Sequence, residues 1–194
     1  VDRGRETLRL HEDCGATMAE LTRRALDGKD RVLVLEHSGV GMPPDQVEWI
    51  QLQVSAFYDA LGPGLDITKV PVGSGPSSNR LETARVQSGS WSIRRAGFEP
   101  LASSMPDVDL IVSFVGEPPL GEHHDVTDWA KLPPVVCFST SGEDIRELMD
   151  AGVLVSAVGP RITPVPTRDA KKKSWFELMY EVVTPDHPGY ELEL

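Results

Sequence analysis

Apolar residues along this chain fall into short unbroken runs, separated by longer stretches in which they recur every three or four positions. "RVLVLEH", "LDITKVPV", "DVDLIVSFVG", "VVCFST" and "VLVSAVG" are the runs. Their shortness and their β-branched and aliphatic content predict strands, with "RVLVLEH" reading as one buried on both faces and "DVDLIVSFVG" as another buried strand. Between the first two, Val47, Ile50, Val54, Phe57, Tyr58 and Leu61 form one stripe at helical period. Pro43 and Pro44 followed by Asp45 mark the start of that helix. Proline suits a first turn whose N–H groups lack partners, and a carboxylate suits the positive end of the helix dipole. "GPG" at 62–64 stops it.

The rest of the chain continues the alternation. Glu6 to Leu26 carries Leu8, Leu10, Met18, Leu21, Ala25 and Leu26 among charges, which predicts an amphipathic helix stopped by Gly28, with Gly15 as a candidate interruption. Such a helix suits a docking or partner-binding arm. "GSGPSSN" ends the second strand, Arg80 to Val86 can start a helix, and "SGSW" interrupts. "SGEDIRELMDAG" predicts a helix with Ser141 as N-cap, Glu143 and Asp144 in its first turn and Gly152 as its stop. "KKKSWFELMYEVV" reads as a helical or mixed segment, and the end as loop. Strands alternating with helices predict an α/β three-layer sandwich, because right-handed crossovers place helices over both faces of a parallel sheet. The expectation is a doubly wound, mostly parallel sheet of five strands in flavodoxin-like order. Residues 1–30 form an N-terminal helix, 31–186 a single α/β domain and 187–194 a tail.

Composition narrows the partners. At 194 residues the chain is long enough for one domain with a sizeable core. Thirty acidic against 19 basic residues give a formal charge of -11, which repels polyphosphate backbones and anionic headgroups. Nucleic acid is therefore not an expected partner, and Lys171, Lys172 and Lys173 read as a solvated face. No stretch reaches the roughly 18 to 20 apolar residues of a membrane helix, so no membrane insertion is expected within this chain. The sequence begins at Val1 rather than Met, as a processed or excised chain would. Cys14 and Cys137 show no CxxC spacing and indicate neither a zinc cluster nor a disulfide framework. They read as partly buried free thiols, with a single bridge as the alternative.

In open parallel sheets, ligands bind beyond the carboxyl ends of the strands, where the winding reverses. The loops on that edge are "HSGVGMP", "GSGPSSN", "GEPPLGEHHD" and "STSGED". They offer Ser38, Gly39, Gly41, Gly73, Ser74, Ser77, Ser78, Asn79, Glu117, Thr140 and Ser141, a surface suited to a polar small molecule. Glycine, serine and proline are also what any strand-to-helix turn needs. "SGVG" supplies G-x-G after a strand, but Pro44 stands three beyond Gly41 and no GK[ST] follows. It is thus read as a turn whose glycines permit close backbone approach, with no nucleotide or other cofactor expected. Glu36, His37, His123, His124 and Asp125 could converge on the same edge as a hydrolase or lyase cluster. Adjacent histidines point different ways and no GxSxG elbow presents a serine, so neither a metal site nor a triad is assigned. Trp91, within a glycine- and serine-rich stretch, is the aromatic best placed to stack on a ligand; Phe98, Trp129 and Trp175 read as packing residues.

"DVDLIVSFVGEPPLG", "PPVVCFSTSGEDIRELMDAGVLVSAVGPR" and "FELMYEVVTPD" resemble one lobe of the type I periplasmic-binding-protein-like family of sugar and small-molecule receptors. The resemblance spans residues 31 to 186. It implies non-catalytic binding or sensing of a polar ligand in an extracytoplasmic setting. Those receptors close two lobes around a ligand, whereas this length holds one. A partner subunit or a second copy would then supply the other wall, or the cleft has been lost and the chain serves as an interaction or assembly subunit. No ligand-contacting residue carries over by motif.

Overall fold

The computed structural model describes residues 3–39, 42–72, 83–85, 91–93, 107–118, 132–139, 145–161 and 173–186. In chain order these hold α1 (Arg3–Leu26), β1 (Arg31–His37), α2 (Pro44–Leu61), β2 (Asp66–Val72), β3 (Thr83–Arg85) and β4 (Trp91–Ile93). They continue with β5 (Leu110–Ser113), β6 (Val135–Phe138), α3 (Ile145–Asp150), β7 (Leu154–Pro160), α4 (Trp175–Met179) and β8 (Tyr180–Val183). The main sheet runs β2-β1-β5-β6-β7-β8, and β3 and β4 form a separate antiparallel ribbon.

All five expected strands are present, parallel, and in the flavodoxin-like order. The sheet has six strands rather than five: β8 adds antiparallel to β7, pairing Ala157 with Val183 and Pro160 with Tyr180. The segment read as helical or mixed is one short helix followed directly by that edge strand. Ser174 and Glu177 form a reciprocal capping box that fixes where the helix starts. Where a helix was expected from Arg80, residues 83–85 are strand, as they pair with 91–93.

Pleating divides the core in two. Val32, Val34, Leu110, Val112, Val136 and Val158 face α1 and α2, and meet Met18, Leu26, Phe57 and Leu61. Leu33, Leu35, Ile111, Val135, Cys137, Leu154 and Ala157 face the other way, onto Ile145, Leu148 and Met149 of α3. Helices therefore cover both faces. Cys14 and Cys137 are both buried and free, one on α1 and the other on the α3 face, so the sheet lies between them and they cannot be bridged.

α1 is unbroken through Gly15. A Cβ built there would lie 2.0 Å from the Gln53 carbonyl oxygen, so glycine is present because α1 and α2 touch at their backbones. Next to that contact, Gln53 Nε2 donates to His11 Nδ1 at 3.0 Å, and the His11 ring stacks on Trp49 with centroids 5.2 Å apart. Arg23 closes the far end of the helix pair, its Nη2 donating to the Ala60 and Leu61 carbonyls at 2.5 Å each. The amphipathic face of α1 is thus spent on α2 and the sheet.

Candidate ligand site at the strand ends

β2 and β5 flank β1 on opposite sides, so the chain leaves β1 in one direction and later resumes on the other. That reversal places a crevice beyond the carboxyl ends of β1 and β5. At the β1 end, the Ser38 N–H donates to the Val72 carbonyl at 2.7 Å, carrying the ladder one residue past the strand. Gly39 then turns with φ +74°, a left-handed conformation that favours glycine. At the β5 end, Ser113 Oγ donates to the Gly116 carbonyl at 2.6 Å, and Gly116 has φ +102°. This tight exit leads into Glu117, which is buried. Burial and the Glu117 carboxylate together push the Cys137 thiol well above its ordinary value.

Strand register defines the last layer of side chains on the α3 face. His37 pairs with Val72; Leu35 pairs with Ser113, so two residues further His37 lies beside Val115. Ser113 pairs with Cys137, which puts Val115 beside Ser139. The Ser139 N–H donates to the Val158 carbonyl at 2.8 Å, setting Ser139 next to Gly159, and Gly159 pairs with Glu181. The terminal row therefore reads Val72, His37, Val115, Ser139, Gly159, Glu181. The layer beneath it is Leu35, Ser113, Cys137, Ala157 and Val183.

Ser113, Glu117, Ser139 and Glu181, all buried, lie at or next to this end, whereas the buried Ser156 pairs with Val136 lower in the sheet. Arg161, one residue past β7, holds Glu181: Nη1 lies 3.2 Å from Oε2, while Nε donates to the Glu177 carbonyl at 3.1 Å. Burial lowers His37 to about 4, so the imidazole is neutral across the physiological range.

Alternation also separates two residues grouped by sequence. Glu36 points to the α2 face, where its Oε1 accepts from the Tyr58 hydroxyl, and Lys69 Nζ lies 3.6 Å above the Tyr58 ring centroid. Desolvation and the Glu36 contact push the Tyr58 hydroxyl far up. His37, one residue on, points to the α3 face. Adjacent strand residues on opposite faces cannot serve one substrate as acid and base, which disfavours the hydrolase cluster. His123, His124 and Asp125 lie outside the described residues, as do Gly41, Gly73, Ser74, Ser77, Ser78, Asn79, Thr140, Ser141, Phe98 and Trp129. Among the described residues no group of three His, Cys, Asp or Glu could hold a metal ion, and no helix is long and apolar enough to cross a membrane.

Gly159, Arg161 and Glu181 escape a search of strand-to-helix loops, because Gly159 lies in a strand, Arg161 directly follows one and Glu181 is in the segment read as helical; Ser139 opens the loop "STSGED" but is not among the residues singled out from it. "YEVV" did carry a signal: an acidic residue at a position whose period-two partner, Val183, is apolar and buried.

No protein-family model matches the sequence, and no characterised sequence matches it. Among solved structures the chain is similar to a sugar-binding protein of a sugar ABC transporter from Bacillus halodurans, with TM-score 0.57 and 17% identity over 93% of this chain and 64% of that one. It is also similar to AraP, an arabinose-binding protein from Geobacillus stearothermophilus, with TM-score 0.54 and 16% identity over 91% of this chain and 61% of that one. A third is GanP, a glucose-galactose binding protein from the same organism, with TM-score 0.52, 15% identity, and coverage of 95% and 62%. The chain spans less than two thirds of each. At these identities the likeness is one of fold: a mostly parallel sheet with helices on both faces, arranged as in one lobe of a periplasmic-binding-protein-like receptor.

Proposed function

We propose that this chain binds a polar, uncharged small molecule of the sugar class at the strand-end rim and performs no chemistry on it. The observation that carries the reading is the reversal of winding between β1 and β5, the position where open parallel sheets bind ligands, together with a terminal row whose buried members include Ser139 and Glu181. A buried polar end on an otherwise apolar sheet suits a ligand that offers several hydroxyls. That two of the similar structures are an arabinose-binding protein and a glucose-galactose binding protein agrees with this class. Ser38, Gly39 and Glu117 would line the crevice, joined by Gly41, Gly73, Ser74, Ser78, Asn79, Thr140 and Ser141 from the loops on the same edge. A second copy of the chain or a partner subunit would supply the opposing wall, in an extracytoplasmic setting.

Thermal-shift titration against neutral pentoses and hexoses tests this. A sugar at a hundred times its dissociation constant adds about 2.7 kcal/mol to stability and raises the melting temperature by several degrees. No shift with any neutral sugar, alone or at protein concentrations that favour self-association, would end the reading.

A further inference from the structure

Glu181 differs from every other buried polar side chain among the described residues. Its side chain is 9% exposed, and Oε1, wholly out of solvent, has no hydrogen-bond partner. Leaving a buried carboxylate oxygen unanswered is costly, and in native proteins such a group calls for a ligand, a water or an ion. The other oxygen is fixed by Arg161, whose own position is set by the Glu177 carbonyl. The carboxylate is thus oriented and its charge already balanced.

The neighbour of Glu181 in the row is Gly159. Gly159 is a strand residue without a positive φ, so its backbone conformation does not require glycine. A glycine inside a strand weakens it, and the usual compensation is a close approach by something else. Both observations point at the same place: an acceptor without a donor stands next to a position without a side chain, at the end of the sheet where ligands enter.

We propose that Oε1 of Glu181 accepts a hydroxyl proton from a neutral polyhydroxyl ligand seated over Gly159, between Ser139 and Glu181. The inference rests on the binding reading above and adds a residue and a charge class to it. A carboxylate only accepts, so the ligand must donate; an anionic ligand would meet the carboxylate head-on, and a cation is not needed where Arg161 already neutralises it. Ser139 and Glu181 stand two strand spacings apart, roughly 10 Å between backbones. That accommodates one sugar ring and a hydrogen bond of about 2.8 Å at either side.

The test is calorimetric titration of the full chain with neutral sugars, an amino sugar and a uronic acid, on the wild type, Glu181→Gln and Gly159→Ala, with circular dichroism to confirm folding. The expected result is neutral-sugar binding by the wild type, no binding of the uronic acid, and about tenfold weaker affinity in each variant. Gly159→Ala leaves the ion pair intact and decides the matter if Glu181→Gln fails to fold. Variants within twofold of the wild type, or a preference for the charged sugars, overturn the subsite while the wider reading stands. So does a crystal structure with sugar bound elsewhere and only a water on Oε1. A wild type that binds no sugar overturns both.

Discussion

Between α1 and α2, His11 and Gln53 are 7% and 4% exposed, and their polar atoms meet each other; at the strand ends, Glu181 is 8% exposed, with one oxygen on Arg161 and the other on nothing. Equal burial has two different explanations. In the helix pair, polar atoms are consumed by packing, and glycine is required because two backbones touch. At the strand ends, Gly159 stands where φ does not demand glycine, and one carboxylate oxygen of Glu181 has no hydrogen-bond partner. Burial alone does not separate a packing residue from a ligand-binding one; the unanswered oxygen is what sets Glu181 apart and what the proposed subsite rests on. Substitutions in the two regions should therefore fail in different ways.

The largest effect belongs to the helix pair. Gly15→Ala would place a methyl 2.0 Å from the Gln53 carbonyl oxygen, which the rigid backbone of α2 cannot yield without moving the helix. The expected loss is about 3 kcal/mol, the upper end for overpacking and partly offset by the better helix propensity of alanine. Urea denaturation measures it. A loss below about 1 kcal/mol would show that the two helices are not locked together here, and would weaken the contrast.

The strand-end pair should behave differently because its cost lies in a stranded charge. Arg161→Met leaves Glu181 buried without its cation. The expected loss is about 2 kcal/mol, below the range for wholly buried pairs because the Arg161 side chain is 22% exposed. Adding Glu181→Leu to Arg161→Met should restore most of that stability while leaving sugar affinity lost. If the double variant were no more stable than Arg161→Met, the carboxylate would not be the source of the cost.

Acid should trouble both regions through their histidines. Burial lowers His11 and lowers His37 to about 4, while the unfolded chain titrates both near 6.5. Below 6.5 the unfolded state takes up protons that the folded state does not, so stability present at neutral pH falls as pH drops from 6.5, and for His37 levels off near 4. The loss from His37 is on the order of 3 kcal/mol once pH reaches 4. His37→Asn should flatten the curve at the strand ends and His11→Gln at the helix pair, each removing its own share. An unchanged pH profile in either variant would separate that residue from acid sensitivity.

The contrast also explains what the sequence could disclose. The six-residue stripe from Val47 to Leu61 reports a helix because burial repeats at 3.6 residues, and the runs of β1, β5, β6 and β7 report parallel strands because both faces are covered, whereas β2 lies at the sheet edge and is largely exposed. The opposite orientations of Glu36 and His37 follow from strand period two once "RVLVLEH" is taken as a strand. β8 was hidden because "WFELM" and "YEVV" abut without a turn, so one segment holds two periods. The role of Gly15 was hidden because a glycine for close approach and a glycine that breaks a helix look identical until the partner helix is placed. The Gly159–Glu181 neighbourship depends on antiparallel register between segments joined by a crossover, which no local pattern encodes.

The smallest expected effect is a difference in rate rather than in stability, and it sets the two regions against each other directly. Cys14 lies on α1, and burial together with Asp13 raises its thiol to about 12; Cys137 lies in β6 beneath the terminal row. Neither is exposed, so a thiol reagent should label neither rapidly in the native protein. Exposing Cys14 requires only that α1 part from α2 and the sheet, whereas exposing Cys137 requires breaking the pairing of β6 with β5 and β7 on both sides. Local openings cost least where few long-range pairings must break. Cys14 should therefore label at lower denaturant concentration than Cys137, and bound sugar should slow Cys137 more than Cys14, since the ligand rests over the row above it. Equal protection of both thiols by sugar would mean that the helix pair and the strand ends open as one unit, and the division between a packing region and a binding region would lose its dynamic basis.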